Sequence, residues 1–309
     1  MISVIVPLLN EEENVARLHK VIVGSLKIQT KPYEIIFVDG GSSDRTIEIA
    51  ERLVPVRLIK MQRSYSQTSA IDTGLYYAKG EIIVLIDADF QNDPADIPRF
   101  LEKLDEGYDV VLGWRQNRKD RWTRIWFSKI ANLISRKLLG LNVHDFGCGL
   151  KVYRSRFIKD FRLWGEAQVF LPAVAKERGA RIAEIPVRHY SRESGASKVN
   201  ISSMVRGVFD LLGIVFFVKY FSRPLRFFGG WGLISVSLSL LSFLAAVVLR
   251  LADILNFTET PLPIIGSLFA ILGVLLLMMG FLAEMLLRIY YTATGASPNM
   301  VKEITETNE

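Results

Sequence analysis

The sequence predicts an α/β protein: a doubly wound, mostly parallel sheet with helices on both faces, then an interfacial amphipathic helix and a two-helix transmembrane hairpin. Three observations carry this expectation. Short β-branched apolar runs alternate with helical patterns five times before residue 114, joined by the short connections from which parallel sheets are built. The fourth run, Ile82 to Ile86, is apolar throughout, as a strand buried on both faces must be. In the last third, Phe227 to Leu249 and Thr260 to Ala283 are 23 and 24 residues without a charge, against the roughly 20 that cross a bilayer core.

Each element has its own signal. Ser3 to Pro7 reads as the first strand. Asn10 is expected to cap a helix running to about Leu26, with Glu11, Glu12 and Glu13 in its electropositive first turn. Glu34 to Asp39 is the second strand, and Gly40-Gly41-Ser42-Ser43-Asp44 turns the chain into a helix near Thr46 to Leu53. Strands follow at Val56 to Met61, Glu81 to Asp87 and Tyr108 to Gly113, with helices at Gln67 to Ala78 and Pro94 to Glu106. Asp145 to Lys151 reads as a glycine-rich turn carrying one carboxylate, Gly165 to Arg178 as a helix and Arg181 to His189 as a strand.

The fourth strand ends in Asp87-Ala88-Asp89-Phe90-Gln91-Asn92-Asp93-Pro94. Residues two apart on an extended segment point the same way, so Asp87 and Asp89 are expected to face one ligand. Neighbouring carboxylates repel, and a hard divalent cation completed by phosphate oxygens is their simplest compensation. Read alone, the same residues are also a strand-end turn with helix initiation at Asn92-Asp93-Pro94. Asp39, at the end of the second strand, is open in the same way between a base or ribose contact and a turn former. The chain lacks Gly-x-Gly-x-x-Gly and Gly-Lys-Ser/Thr, which excludes a dinucleotide fingerprint and a P-loop.

Between Arg115 and Lys137 stand eight basic residues, Lys129 among them, against one Asp, with Trp122 and Trp126 interleaved and Trp114 just before. In a chain with membrane spans this composition points to the headgroup layer and to phosphate rather than to nucleic acid. Tyr190 to Lys198 is a polar loop with Arg192, Ser197 and Lys198, of the sort that wraps an anion. Val205 to Phe221 is apolar but interrupted by Asp210 and Lys219, which suits a helix lying along the interface.

The expected organisation is a catalytic domain over 1–200, an interfacial segment over 201–226, a hairpin over 227–290 with spans at about 227–249 and 262–286, and a polar tail over 291–309. Lys219, Arg223, Arg226, Arg288 and Lys302 lie on one side of the hairpin, and only Arg250 lies in its short far loop. The positive-inside rule therefore places the catalytic domain and both termini in the cytoplasm, with the bilayer as a partner. The apolar run at Ile2 to Leu9 is too short and has no basic leader, so no signal peptide is expected. The single cysteine, Cys148, excludes an internal disulfide. Gly266 and Gly273 lack Gly-x-x-x-Gly spacing and give no dimer signal, which leaves a homo-oligomer open.

In order along the chain, these motifs resemble the family 2 glycosyltransferases of the polyprenyl-phosphate type. They are Pro7-Leu8-Leu9-Asn10-Glu11-Glu12, Val38-Asp39-Gly40-Gly41-Ser42, Gln67-Thr68-Ser69-Ala70 and the Asp87 to Pro94 run. Gly113-Trp114-Arg115, Asp145-Phe146-Gly147-Cys148-Gly149 and Arg192-x-x-Gly195-x-Ser197-Lys198 complete the set. The resemblance implies a GT-A fold, Rossmann-like, with a nucleotide-sugar donor and a polyprenyl phosphate acceptor. It implies that Asp87, Asp89 and Gln91 hold Mg²⁺ or Mn²⁺, and that Pro7, Glu11 and Asp39 lie around the base and ribose, with Gln67 also on the substrate side. Arg115, Arg192, Ser197, Lys198 and Lys129 would serve donor and lipid phosphates, and Asp145 stands where the family is often assigned a base. Leu9 and Gly40 replace the Tyr and Asp common in the family, so UDP and GDP donors both stay open.

Such an acceptor, with a second pKa near 6, is largely dianionic at neutral pH and needs little deprotonation. Direct attack would then invert the anomeric carbon. Three rivals are a processive polysaccharide synthase, a non-enzymatic membrane-anchored nucleotide-binding scaffold and a nucleic-acid-binding membrane protein, the last of which leaves the carboxylates unexplained. The first usually carries Gln-x-x-Arg-Trp, whose spacing Gln116 and Arg121-Trp122 miss. The second has no use for the Asp-Ala-Asp-Phe-Gln run.

Overall fold

The computed structural model describes residues 1–63, 66–116, 132–133, 135–163, 165, 167–188, 190, 213, 215–216, 219–220 and 223–294. They fall into two compact units, Met1–Val215 and Phe216–Glu309. The first is built on one seven-stranded sheet. In chain order its strands are β1 (Ile2–Leu8), β2 (Tyr33–Asp39), β3 (Arg57–Lys60), β4 (Ile82–Leu85), β5 (Val110–Arg115), β6 (Lys151–Arg154) and β7 (Ile182–Val187). Their spatial order is β3-β2-β1-β4-β6-β5-β7. β6 runs antiparallel to both β4 and β5, while the other paired strands are parallel. This is the mostly parallel sheet expected, with one reversed strand.

Alternating side chains on the central strands pack against helices on opposite faces. Val4, Val6, Ile35 and Phe37 share a core with Val15, Leu18 and Ile22 of α1 (Val15–Lys27) and with Ile97, Phe100 and Leu101 of α4 (Ile97–Asp105). Ile5 and Val38 face the other way, towards Gly74 of α3 (Gln67–Tyr77), where a Cβ would collide with the Ile5 side chain. α2 (Thr46–Glu51) and α5 (Leu171–Glu177) are further helices of this unit. The chain builds β1, β2 and β3 outward, then returns to lay β4 on the other flank of β1. That reversal is the switch point at whose carboxyl ends open α/β sheets bind ligands.

Four local expectations are corrected. Asn10 does not cap a helix: α1 starts at Val15, and Asn10 sits in the left-handed region at φ 57°. The polar residues of that turn are drawn across to the loop after β2, a competition that delays helix formation. Asn10 Oδ1 accepts from the Ser43 N–H at 2.8 Å, the Asn10 N–H donates to Ser42 Oγ at 2.9 Å, and the Glu11 N–H donates to Thr46 Oγ1 at 2.8 Å. β4 stops at Leu85, so Asp87 and Asp89 lie in a turn rather than on the strand. Lys151 is not part of a turn but opens β6. The segment after Gly165 is a 3-10 turn, Ala167–Phe170, and α5 is shortened to the residues around its N-terminal Pro172.

The second unit contains α6 (Pro224–Leu251) and α7 (Leu262–Thr294), each long and apolar enough to cross a membrane, with mean hydropathies of 2.4 and 2.5 over an 18-residue stretch. Both outrun the expected span limits. They pack closely along a seam of small residues. A Cβ on Gly232 would lie 3.0 Å from the Gly273 carbonyl oxygen, and one on Gly273 would lie 2.9 Å from that of Gly232. Gly266 faces the Phe243 ring and Gly280 faces Leu225 and Phe228, so three glycines seven residues apart line one face of α7, the heptad repeat of paired helices. The hydroxyls of Ser235 and Ser242 donate to the Phe269 and Leu262 carbonyls across the seam, each at 2.7 Å. Away from it, Leu240, Leu244, Leu268 and Leu275 are exposed, the surface a hydrocarbon phase would cover. The expected interfacial helix, and the tail beyond 294, lie almost wholly outside the described residues.

Candidate active site

At the carboxyl end of β2, Asp39 is fully buried and organises the loop. Its Oδ1 accepts from the Gly41 and Ser42 N–H groups at 2.8 and 2.9 Å, and its Oδ2 accepts from the Ser42 hydroxyl. Gly41 takes φ 92° here, which a residue with a Cβ would resist. The turn-forming role of Asp39 is thus realised in the structure. The Gly40 N–H donates to the Leu8 carbonyl at 2.8 Å, tying this loop to the end of β1 beside half-buried Pro7. The Glu11 carboxylate accepts from Asn14 Nδ2 at 2.7 Å, and its carbonyl accepts the Asn14 and Val15 N–H groups. These two loops form one rim of the switch point.

The carboxylate turn forms the other rim. Asp87 and Asp89 are half-exposed, whereas Ala88 and Phe90 between and after them are buried. Asp87 Oδ1 accepts from Gln67 Nε2 at 2.6 Å. Gln67 is the first residue of α3, whose Ser66 cap accepts from the Ser69 N–H. Asp89 Oδ1 accepts from the Gln91 N–H at 3.2 Å. Phe90 adopts φ 54° with its ring under the Arg17 guanidinium, 4.4 Å from centroid to Cζ. A left-handed aromatic residue costs about 1–3 kcal/mol and is held only where its surroundings over-determine it. Here the strained residue separates Asp89 from Gln91. Asp93 caps the following turn through Ala95 N–H at 2.9 Å, and the Tyr190 N–H donates to the Gln91 carbonyl at 3.2 Å.

The third wall comes from β5 and the glycine-rich segment. Arg115 and Asp145 are both buried and form a bidentate pair, Nε to Oδ2 at 2.6 Å and Nη2 to Oδ1 at 2.9 Å. The Gly147 N–H also donates to Asp145 Oδ1 at 3.1 Å. Such a fork is strong in a low-dielectric site, and it occupies both oxygens of Asp145. Gly149 lies against Asp87: a Cβ there would overlap Asp87 Oδ2. Buried Asn92 accepts from the Cys148 thiol at 3.1 Å, which joins the segment to the carboxylate turn. Trp114, expected at the headgroup layer, stacks on His144 with centroids 4.3 Å apart, and His144 Nδ1 meets Glu184 Oε2 at 2.7 Å. Burial pushes the Cys148 thiol up to about 12 and the Lys151 ammonium down to about 8.

The structure therefore brings Pro7, Glu11, Asp39, Gln67, Asp87, Asp89, Gln91, Arg115 and Asp145 to the same end of the sheet, on the last residues of its strands, the first residue of α3 and the adjoining loops. Arg192, Ser197, Lys198 and Lys129 lie outside the described residues. Among the described residues, no group of three or more His, Cys, Asp or Glu is disposed to hold a metal. Two carboxylates and a carboxamide are nonetheless a sufficient protein contribution for a hard cation that takes its other ligands from phosphate and water. Sequence reasoning missed Asn92, Gln168 and buried Lys151. Only the improbable burial of a lysine distinguishes the last, and a sequence does not display burial.

A mixed sheet of this order, with a two-carboxylate turn at its switch point, is a fold of the GT-A kind. The chain belongs to Glycosyl transferase family 2, whose sequence profile matches residues 3–162. It is 36% identical to the dodecaprenyl-phosphate galacturonate synthase of Rhizobium johnstonii, across 97% of this chain and 91% of that protein. It is 33% identical to the undecaprenyl-phosphate 4-deoxy-4-formamido-L-arabinose transferase of Edwardsiella ictaluri, across 100% and 95%. Among solved structures, glucosyl-3-phosphoglycerate synthase from Mycobacterium tuberculosis in complex with Mn²⁺ and UDP-glucose matches with a TM-score of 0.55 at 20% identity, over 70% of this chain and 78% of that one. That last likeness is one of fold.

Proposed function

We propose that this protein transfers a sugar from a nucleotide-sugar to a membrane polyprenyl phosphate with inversion at the anomeric carbon. An acceptor phosphate oxygen forms the new bond to C1. The bond from C1 to the donor diphosphate breaks, and its electron pair leaves with the nucleoside diphosphate. The observation that carries this reading is the Asp87–Asp93 turn, held by Gln67, Gly149 and a strained Phe90, in a chain whose near-full-length relatives bear names of polyprenyl-phosphate sugar transferases.

Asp87, Asp89 and Gln91 would hold Mg²⁺ or Mn²⁺, which when bound neutralises charge on the leaving diphosphate. The loops at Asn10 and Ser42, fastened together, give the nucleoside a rigid rim. Arg115 faces this end of the sheet with its guanidinium oriented by Asp145. Asp145 acts as that orienting group rather than as the base, because both its oxygens are engaged and a dianionic acceptor needs no strong base. Arg192, Ser197, Lys198 and Lys129 are the remaining phosphate-binding candidates. The hairpin anchors the chain in the bilayer where the lipid acceptor resides. Arg223, Arg226 and Arg288 mark its cytoplasmic side, and at the other end Arg250 is paired with Asp253 at 3.6 Å.

The test is a donor panel. Purified full-length protein in detergent, given a polyprenyl phosphate and either Mg²⁺ or Mn²⁺, is offered UDP- and GDP-linked hexoses, uronic acids and 4-amino-4-deoxypentoses. One donor is expected to label the lipid, and NMR of the product should show the anomeric configuration opposite to the donor's. Retained configuration would overturn the direct displacement. Growth of a polymer would favour a processive synthase.

A further inference from the structure

The carboxylate turn is secured by residues drawn from three other segments. Gln67 Nε2 donates to Asp87 Oδ1 at 2.6 Å, and this fixes which way the carboxamide points, since a carboxylate can only accept. Gln67 Oε1 is then turned towards the 3-10 turn Ala167–Phe170, where it accepts from Gln168 Nε2 at 3.3 Å. The Gln168 backbone carbonyl in turn accepts from Lys151 Nζ, on β6, at 3.3 Å. Lys151 is buried in the sheet between β4 and β5. Direction runs through the whole chain: reversing either carboxamide would set oxygen against oxygen. Gln168 Oε1 is left buried with no hydrogen-bond partner among the described residues, a cost folds seldom carry without a purpose.

We infer that Gln67, Gln168 and Lys151 form a positioning relay that holds the Asp87 carboxylate in place for a divalent cation. This inference rests on the reading of Asp87 and Asp89 as a metal site. Gln67 is thereby a positioning residue that acts through Asp87, rather than a substrate contact. The relay gives the buried lysine that opens β6 a role: its ammonium pins the backbone of the turn that presents Gln168. It also gives a role to the glutamine that begins α3 beside the capping Ser66, since from there its side chain reaches Asp87, two residues past the end of β4.

The test measures Mn²⁺ alone, by EPR titration of the full-length protein in detergent, with thermal melting alongside. Gln168→Leu is the informative variant because Gln168 is only half-buried, whereas removing buried Lys151 endangers the fold. Outer-shell partners of metal ligands typically contribute about 10–100-fold in metal affinity. Gln168→Leu and Gln67→Leu are each expected to weaken Mn²⁺ binding at least about tenfold, with the melting temperature held. The double variant should be no weaker than the worse single one, because the two act in series. Unchanged Mn²⁺ affinity in Gln168→Leu, or losses that multiply in the double variant, would overturn the relay while leaving the metal site intact. Mn²⁺ affinity of the unmodified protein equal to that of Asp89→Ala would instead overturn the metal reading, and the relay with it.

Discussion

Gly149 is the residue on which the carboxylate turn is packed most tightly. A methyl group there would occupy the position of Asp87 Oδ2, so Gly149→Ala must move the carboxylate or the segment behind it. Displacements of about 1 Å at a reacting centre can cost on the order of a hundredfold, and a loss of sugar transfer of about that size is expected in a protein that still folds. The Arg115–Asp145 pair answers differently. Removing one member of a buried pair strands a charge and costs about 3–5 kcal/mol. Asp145→Ala should therefore lower the melting temperature sharply, and a variant that melts normally but is inactive would restore Asp145 as a catalytic base. Cys148, with its thiol pushed up to about 12 by burial, holds almost no thiolate at pH 8. It should resist iodoacetamide in the native protein and react once the chain is unfolded.

At the scale of elements, the strands with continuous β-branched runs were legible and β6 was not. Lys151-Val152-Tyr153-Arg154 is four residues long and flanked by cations, a pattern that reads as a surface turn unless the lysine's burial is known. β4 likewise was expected to run two residues further at its carboxyl end, because apolar Ile86 and the spacing of Asp87 and Asp89 continue its pattern past the last sheet bridge at Leu85. The helix start at Asn10 failed for a reason no local pattern holds: its side chain bonds to Ser43, 33 residues away. In the hairpin, Gly266 and Gly273 lack Gly-x-x-x-Gly spacing as expected, but with Gly280 they recur every seven residues, and that spacing serves packing of α7 on α6. Gly273→Val would drive a side chain into Val236 and the Gly232 backbone. It should separate the helices and lower the melting temperature in detergent, while Leu268→Val on the exposed face should leave it unchanged.

At the scale of the whole molecule, two units of unlike composition are joined in one chain: a sheet that gathers carboxylates and a buried arginine at one end, and an apolar hairpin suited to the bilayer. The site was legible as residue types in order, since Asp87, Asp89, Asp39, Arg115 and Asp145 each stand in a recognisable motif. What each of them touches was not legible, because Gln67, Gly149 and Gln168 reach Asp87 or its partners only through the crossing of strands and helices distant in sequence. The proposed role of the carboxylate turn is to bind a divalent cation for sugar transfer to a lipid phosphate. Its most direct test is sugar transfer into the organic phase by the purified protein, with and without EDTA, beside Asp89→Ala. Transfer that needs Mg²⁺ or Mn²⁺ and falls to background in Asp89→Ala is the predicted result. Transfer that survives EDTA, or an Asp89→Ala protein as active as the unmodified one, would contradict it.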